Sequence, residues 1–269
     1  MRYLSLQRSQ LILASFVTCS LLLVAFPAVD IGISRWFFDN GFCWSKLWWQ
    51  PLLRDLTTWM LSLSLLAVSV TWIYNRWTRR SLGRVDGRKV AYLFLVLFLG
   101  AGLIVNLVLK DNFGRARPRD IAEFGGSKVF TPAFVISQEC RKNCSFSSGE
   151  GAAGFFTLAL AMAMSRRRRV FAAAIAVGLL VSFARVSAGA HFFSDIVVSF
   201  FVMWLLADVL RFYMLTTQCV PDPREASRSP AGVPGYVRGT WTWTGALMRA
   251  QTNRLHADDP GRRPEETRS

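Results

Sequence analysis

Histidine is almost missing from this sequence, and so is any arrangement that would hold a metal. Two histidines occur in 269 residues, and the five cysteines form no CxxC pair and no Cys/His cluster, which excludes the common zinc modules. No segment repeats internally. No basic stripe runs between aromatic residues on a soluble stretch, so nucleic acid is excluded as a partner, although Lys and Arg number 32 against 17 Asp and Glu. Amphipathic spacing is scarce too. What fills the chain instead is long apolar runs, and 52% of the residues are hydrophobic. Such runs specify an all-α membrane protein, in which every backbone polar group pairs within its own segment.

Six segments approach the roughly 20 apolar residues that a bilayer crossing needs. They are residues 11–29, 56–74, 90–109, 149–165, 170–188 and 192–213, the fourth being short. The first is longer than a signal core and lacks a small-x-small cut site, so it reads as an uncleaved anchor. Arg76, Arg79, Arg80, Arg84, Arg88 and Lys89 crowd the second connection and Arg166 to Arg169 the fourth. Basic connections stay in the cytoplasm and favour anionic lipid, which puts both termini inside and connections one, three and five outside. Residues 1–215 thus form a six-helix bundle. Residues 216–269, rich in Pro, Arg, Ser and acids, read as a cytoplasmic disordered tail, with "TWTWTGALMRAQTNRL" as a candidate interfacial helix.

The third connection breaks the orientation rule. It carries Arg115, Arg117, Arg119, Lys128, Arg141 and Lys142 on the outer side, so part of that charge must have another use. Cys140 and Cys144 share this connection and are candidates for a disulfide, with Cys43 as a competing partner.

This topology brings four unusual points to one end of the bundle. Helix three ends in "LKDNFGRARPRD", helix four begins at "CSFSSGEGAAGF", helix five ends at Arg185, and helix six opens with His191 and Asp195. Ionisable groups at membrane helices are functional candidates by default. Lys110, Arg117 and Arg185 supply three positive charges, two of them forks suited to phosphate oxygens. A helix N-terminus capped by Ser147 or Ser148, with Gly149 permitting close approach, adds backbone N–H groups aimed at an anion. His191 and Asp195 lie four apart, which on a helix would let the carboxylate take one imidazole proton and leave the other nitrogen free as a nucleophile. His256, in the tail, reads as an ordinary surface residue.

With those residues in place the sequence resembles the type 2 phosphatidic acid phosphatase superfamily, whose pattern is K-x6-R-P, then P-S-G-H, then S-R-x5-H-x3-D. "KDNFGRARP" supplies Lys110, Arg117 and Pro118. "ARVSAGAHFFSD" supplies Arg185, His191 and Asp195, with Ala184 at the place of the family's serine, and "SSGE" matches at Ser148 and Gly149. The resemblance implies cofactor-free, metal-independent dephosphorylation of a membrane lipid. His191 would attack phosphorus, Asp195 would orient it, and Lys110, Arg117, Arg185, Ser148 and Gly149 would hold the phosphate oxygens.

The family's second-block histidine is replaced by Glu150. Either this residue is the general acid, or it positions a basic residue or a substrate hydroxyl. An SGE block is a feature of a subgroup similar to lipid A 4'-phosphatases. That implies a bacterial inner-membrane enzyme acting at the periplasmic face, with undecaprenyl pyrophosphate, phosphatidylglycerol phosphate and phosphatidic acid as alternative substrates. A catalytically silent phosphate-binding scaffold is the reading from another class. Nothing in the sequence calls for an obligate protein partner.

Overall fold

The computed structural model describes residues 2–216. The tail, its candidate interfacial helix and His256 lie outside the described residues. The chain folds as an all-helical polytopic membrane bundle, and no strand occurs among the described residues. Seven helices follow one another: α1 (Arg2–Ala25), α2 (Ala28–Arg35), α3 (Trp49–Thr78), α4 (Gly87–Lys110), α5 (Gly149–Met164), α6 (Arg168–Ser187) and α7 (Phe193–Thr216). Five of them are long and apolar enough to cross a membrane, and α5, with 16 residues, is the short one.

The first apolar run differs in shape from the sequence expectation. Pro27 disfavours helical geometry in the residue before it, so α1 stops at Ala25 and the chain restarts as the short helix α2. That break turns Asp30 inward, where it is buried.

Helix α5 is short because protein, not lipid, surrounds it. Eleven of its 16 residues are buried, most of them Gly, Ala or Phe, against α4, α6 and α7. Between apolar helices in lipid, close van der Waals packing supplies the attraction, which small residues permit. At Gly178 of α6 a Cβ would lie 2.1 Å from the Phe155 ring, so only glycine allows that approach. Helices α1 and α3 instead leave many large apolar side chains exposed, as lipid-facing helices do.

The connection from Asp111 to Ser148 is ordered rather than loose. Phe146 packs between Phe113 and Phe134 at ring separations of 4.9 and 5.1 Å, and Phe130 meets Phe192 at 5.3 Å. Backbone bonds from Ser137 to Phe113 and from Ser145 to Arg115 fold it back on itself. Of the pairings open to these three cysteines, Cys140–Cys144 is the one formed, and Cys43 is free.

Candidate active site

The end of α4, the start of α5, the end of α6 and the start of α7 lie at one end of the bundle, as the alternating topology requires. A tight turn joins α6 to α7. Gly189 sits at φ +61°, and a Cβ there would come within 2.5 Å of the Phe42 ring, so glycine is needed on both counts. The turn is fixed by Ala190 N–H donating to the Arg185 carbonyl at 3.0 Å and Arg119 N–H donating to that of Gly189 at 3.1 Å.

His191 leaves this turn just before α7 begins, so it is not on the helix as its spacing to Asp195 suggested. Its side chain is buried. Nδ1 stands 2.7 Å from the Ser145 carbonyl oxygen, while the nearer Asp195 oxygen is 3.6 Å away, beyond hydrogen-bond range. A carbonyl can only accept, so Nδ1 carries the proton and Nε2 keeps its lone pair. Asp195 therefore acts on the ring through its field rather than by a direct bond. Burial holds the imidazole below its ordinary pKa. Asp195 opposes this, and Lys110 and Arg117 reinforce it. The neutral, Nδ1-protonated ring is the resting form.

Asp195 has other occupations. Its carboxylate caps the first turn of α7 by accepting from Phe192 N–H at 2.8 Å, and it also takes the Ser145 hydroxyl. Its other oxygen receives Arg115 Nη1 at 2.6 Å. Arg115 was read from the sequence only as loop charge, and here it is 0% exposed and carries a network. Nη2 donates to Asp30 at 2.8 Å and Nε to the Thr131 carbonyl at 2.8 Å, and the guanidinium lies 4.2 Å from the Phe192 ring centre. Asp30 in turn accepts from Ser194 N–H at 2.8 Å and from its hydroxyl. This network takes up one of the six basic residues by which the third connection breaks the orientation rule. A lone acid closing the first apolar run was the matching signal at Asp30.

The cations gather next to His191. Lys110 and Arg117 both act on its titration, and Arg117 in turn feels Arg185 and Glu150. Burial, then Arg119, pulls Arg117 below the ordinary guanidinium value, and its Nη2 donates to the Asn143 carbonyl at 2.8 Å. Arg185 Nη1 pairs with Glu150 Oε2 at 3.0 Å. Among the described residues, the buried Arg185 Nε and Ser147 Oγ have no hydrogen-bond partner, leaving donors ready for an anion.

Ser148 caps α5 by accepting from Gly151 N–H at 3.0 Å. Gly149 is required by packing: a Cβ there would meet Asn106 Oδ1 of α4 at 2.5 Å. All eight residues singled out in the sequence thus stand at this end of the bundle. The structure adds Arg115, Asp30 and Ser145.

Fold and site together define a membrane helix bundle in which Lys110, Arg117 and Arg185 share one end with a buried histidine. Residues 89–218 match the family model of the PAP2 superfamily, and the chain belongs to that family. Over 118 residues it is 42% identical to a lipid A 4'-phosphatase of Francisella tularensis subsp. novicida (strain U112), covering 42% of this chain and 53% of that protein. Over 192 residues it is 31% identical to a lipid A 4'-phosphatase of Rhizobium leguminosarum, covering 64% of this chain and 82% of that protein. A third relative, a lipid A 4'-phosphatase of Rhizobium etli, is 37% identical over 111 residues, 40% of this chain and 43% of its own length. The chain thus spans about half the length of the Francisella and R. etli relatives. No solved structure matches it.

Proposed function

We propose that this protein is a membrane lipid phosphatase that removes the 4'-phosphate of lipid A at the periplasmic face of the bacterial inner membrane. The observation that carries the reading is the His191 tautomer. Nδ1–H is committed to the Ser145 carbonyl, and the free Nε2 lies in the field of Lys110 and Arg117.

In the proposed reaction Nε2 attacks phosphorus and the bond from phosphorus to the lipid oxygen breaks. Lys110, Arg117, Arg185 and the first-turn N–H groups of α5, capped by Ser148 and opened by Gly149, hold the phosphate oxygens, which is the dominant contribution in phosphoryl transfer. The phosphorylated ring gains a positive charge, and the Asp195 carboxylate 3.6 Å from Nδ1 stabilises it. Glu150 keeps Arg185 in place before substrate arrives. Once phosphate takes over that guanidinium, the released Glu150 carboxylate takes up the proton of the bound phosphate monoanion and passes it to the departing lipid oxygen. Water then attacks the phosphohistidine, releasing inorganic phosphate and restoring the imidazole.

Lipid A is favoured over the isoprenyl and glycerophospholipid substrates because three relatives bear that activity in their names. The test is expression in a cell without its own lipid A phosphatases, with the extracted lipid A weighed by mass spectrometry. Loss of one phosphate at the 4' position is expected from the wild type and no loss from His191→Ala. Unchanged lipid A from the wild type would move the assignment to the alternative lipids, and full activity in His191→Ala would remove the phosphohistidine. Hydrolysis is also expected to survive a chelator.

A further inference from the structure

The chemistry above uses one end of the bundle and leaves the arginine run at residues 166–169, at the other end, without a role. A cavity of about 540 Å³ opens beside it, walled by α1, α5, α6 and α7. Arg8, Arg166, Arg167, Arg168 and Arg211 form its charged side, and Met162, Phe171, Ile175 and Trp204 its apolar side. No carboxylate lines it among the described residues. Asp208, which pairs with Arg8 at 3.2 Å, already accepts from Ser9 at 2.7 Å.

Two further observations show donors without acceptors. Helix α6 starts at Arg168 with no side-chain cap and no acid in its first turn. Its free N–H groups and the positive end of its dipole therefore sit among arginines, an arrangement that is repulsive until an anion occupies it. The Trp204 Nε1 atom, on the apolar side, is buried and has no partner among the described residues.

We propose that this cavity binds the headgroup of one anionic phospholipid. The guanidinium forks and the first-turn N–H groups of α6 take the phosphate oxygens, and the glycerol and upper acyl chain run along the apolar side. The volume lies within the roughly 300–1,000 Å³ typical of small-ligand sites. A plain basic surface would attract anionic lipid diffusely. A half-open cavity with both a cationic and an apolar side holds one amphiphile, and its occupancy saturates. The inference does not depend on the phosphatase reading.

The full-length protein in nanodiscs of phosphatidylcholine with a minority of phosphatidylglycerol, transferred to detergent and weighed by native mass spectrometry, tests this directly. One retained phosphatidylglycerol per chain is expected. Arg166→Gln/Arg168→Gln should lower its retention by about tenfold or more, since two charge-assisted forks are lost together. Trp204→Phe, which keeps a ring and deletes the N–H, should lower it by a smaller factor. An unchanged thermal midpoint in phosphatidylcholine alone verifies that each variant is folded. Wild-type protein retaining no phosphatidylglycerol, or both variants retaining as much as wild type, overturns the proposal. Displacement of the lipid by inorganic phosphate as readily as by excess phosphatidylglycerol would also overturn it, by making this a free-phosphate site.

Discussion

Asp30→Asn separates the buried charge network from the proposed phosphate site, because Asp30 does not contact Lys110, Arg117 or Arg185. In the native chain its carboxylate accepts three hydrogen bonds, from Arg115 Nη2, Ser194 N–H and the Ser194 hydroxyl. An asparagine has one acceptor oxygen, and its amide nitrogen would face a donor. Arg115, fully buried, would be left with Asp195 as its single carboxylate partner. Removing one member of a buried ion pair costs about 3–5 kcal/mol, because the remaining charge is uncompensated. On the scale of a 150–250-residue unit that is a fall in thermal midpoint of roughly 6–20 °C.

The kinetic consequence follows from geometry. Arg115 pulls on Asp195, and Asp195 anchors Ser145, whose carbonyl fixes the His191 tautomer. A loosened Arg115 should lower kcat while leaving KM near its wild-type value, since Lys110, Arg117 and Arg185, the cations proposed to bind phosphate, are untouched. The measurements are scanning fluorimetry in detergent and steady-state phosphate release. A wild-type midpoint together with wild-type kcat would refute the reasoning. A lowered midpoint with unchanged kcat would reduce the network to a fold element.

Three other outcomes are expected. His191 must be neutral to attack, and its folded pKa lies below the ordinary value of about 6.5. The acid limb of kcat/KM should therefore fall below pH 6.5, and the stability this residue contributes should be lost as pH falls through its folded pKa. An acid limb at or above the ordinary value would contradict the buried neutral ring. Glu150→Gln should slow lipid hydrolysis by about 100-fold, the scale of one general acid, yet slow p-nitrophenyl phosphate far less, because that leaving group needs no proton. Equal losses on both substrates would assign Glu150 to holding Arg185 instead. Gly189→Ala should destabilise by about 1–3 kcal/mol, seen as a lower thermal midpoint, because the left-handed turn and the Phe42 ring both reject a Cβ.

The membrane helices were legible because bilayer thickness forces long apolar runs, and even the short α5 could be placed from its flanking charges. The site was legible because alternating topology brings the ends of four helices together. The Asp30–Arg115 contact was not, since it joins residues 85 apart and no periodicity links a loop to a helix beyond a proline break. The four-residue spacing of His191 and Asp195 was informative about proximity and misleading about the bond. The helix begins two residues after the histidine, and the carboxylate caps it while a backbone carbonyl takes the imidazole proton.

Asp30 lies outside residues 89–218, the part of the chain that matches the family model. During synthesis the ribosome releases Asp30 early, Arg115 midway and Asp195 near the end of the bundle, so the buried network can close only after α7 has emerged and met α2. The contacts that hold His191 are therefore among the last this bundle can form.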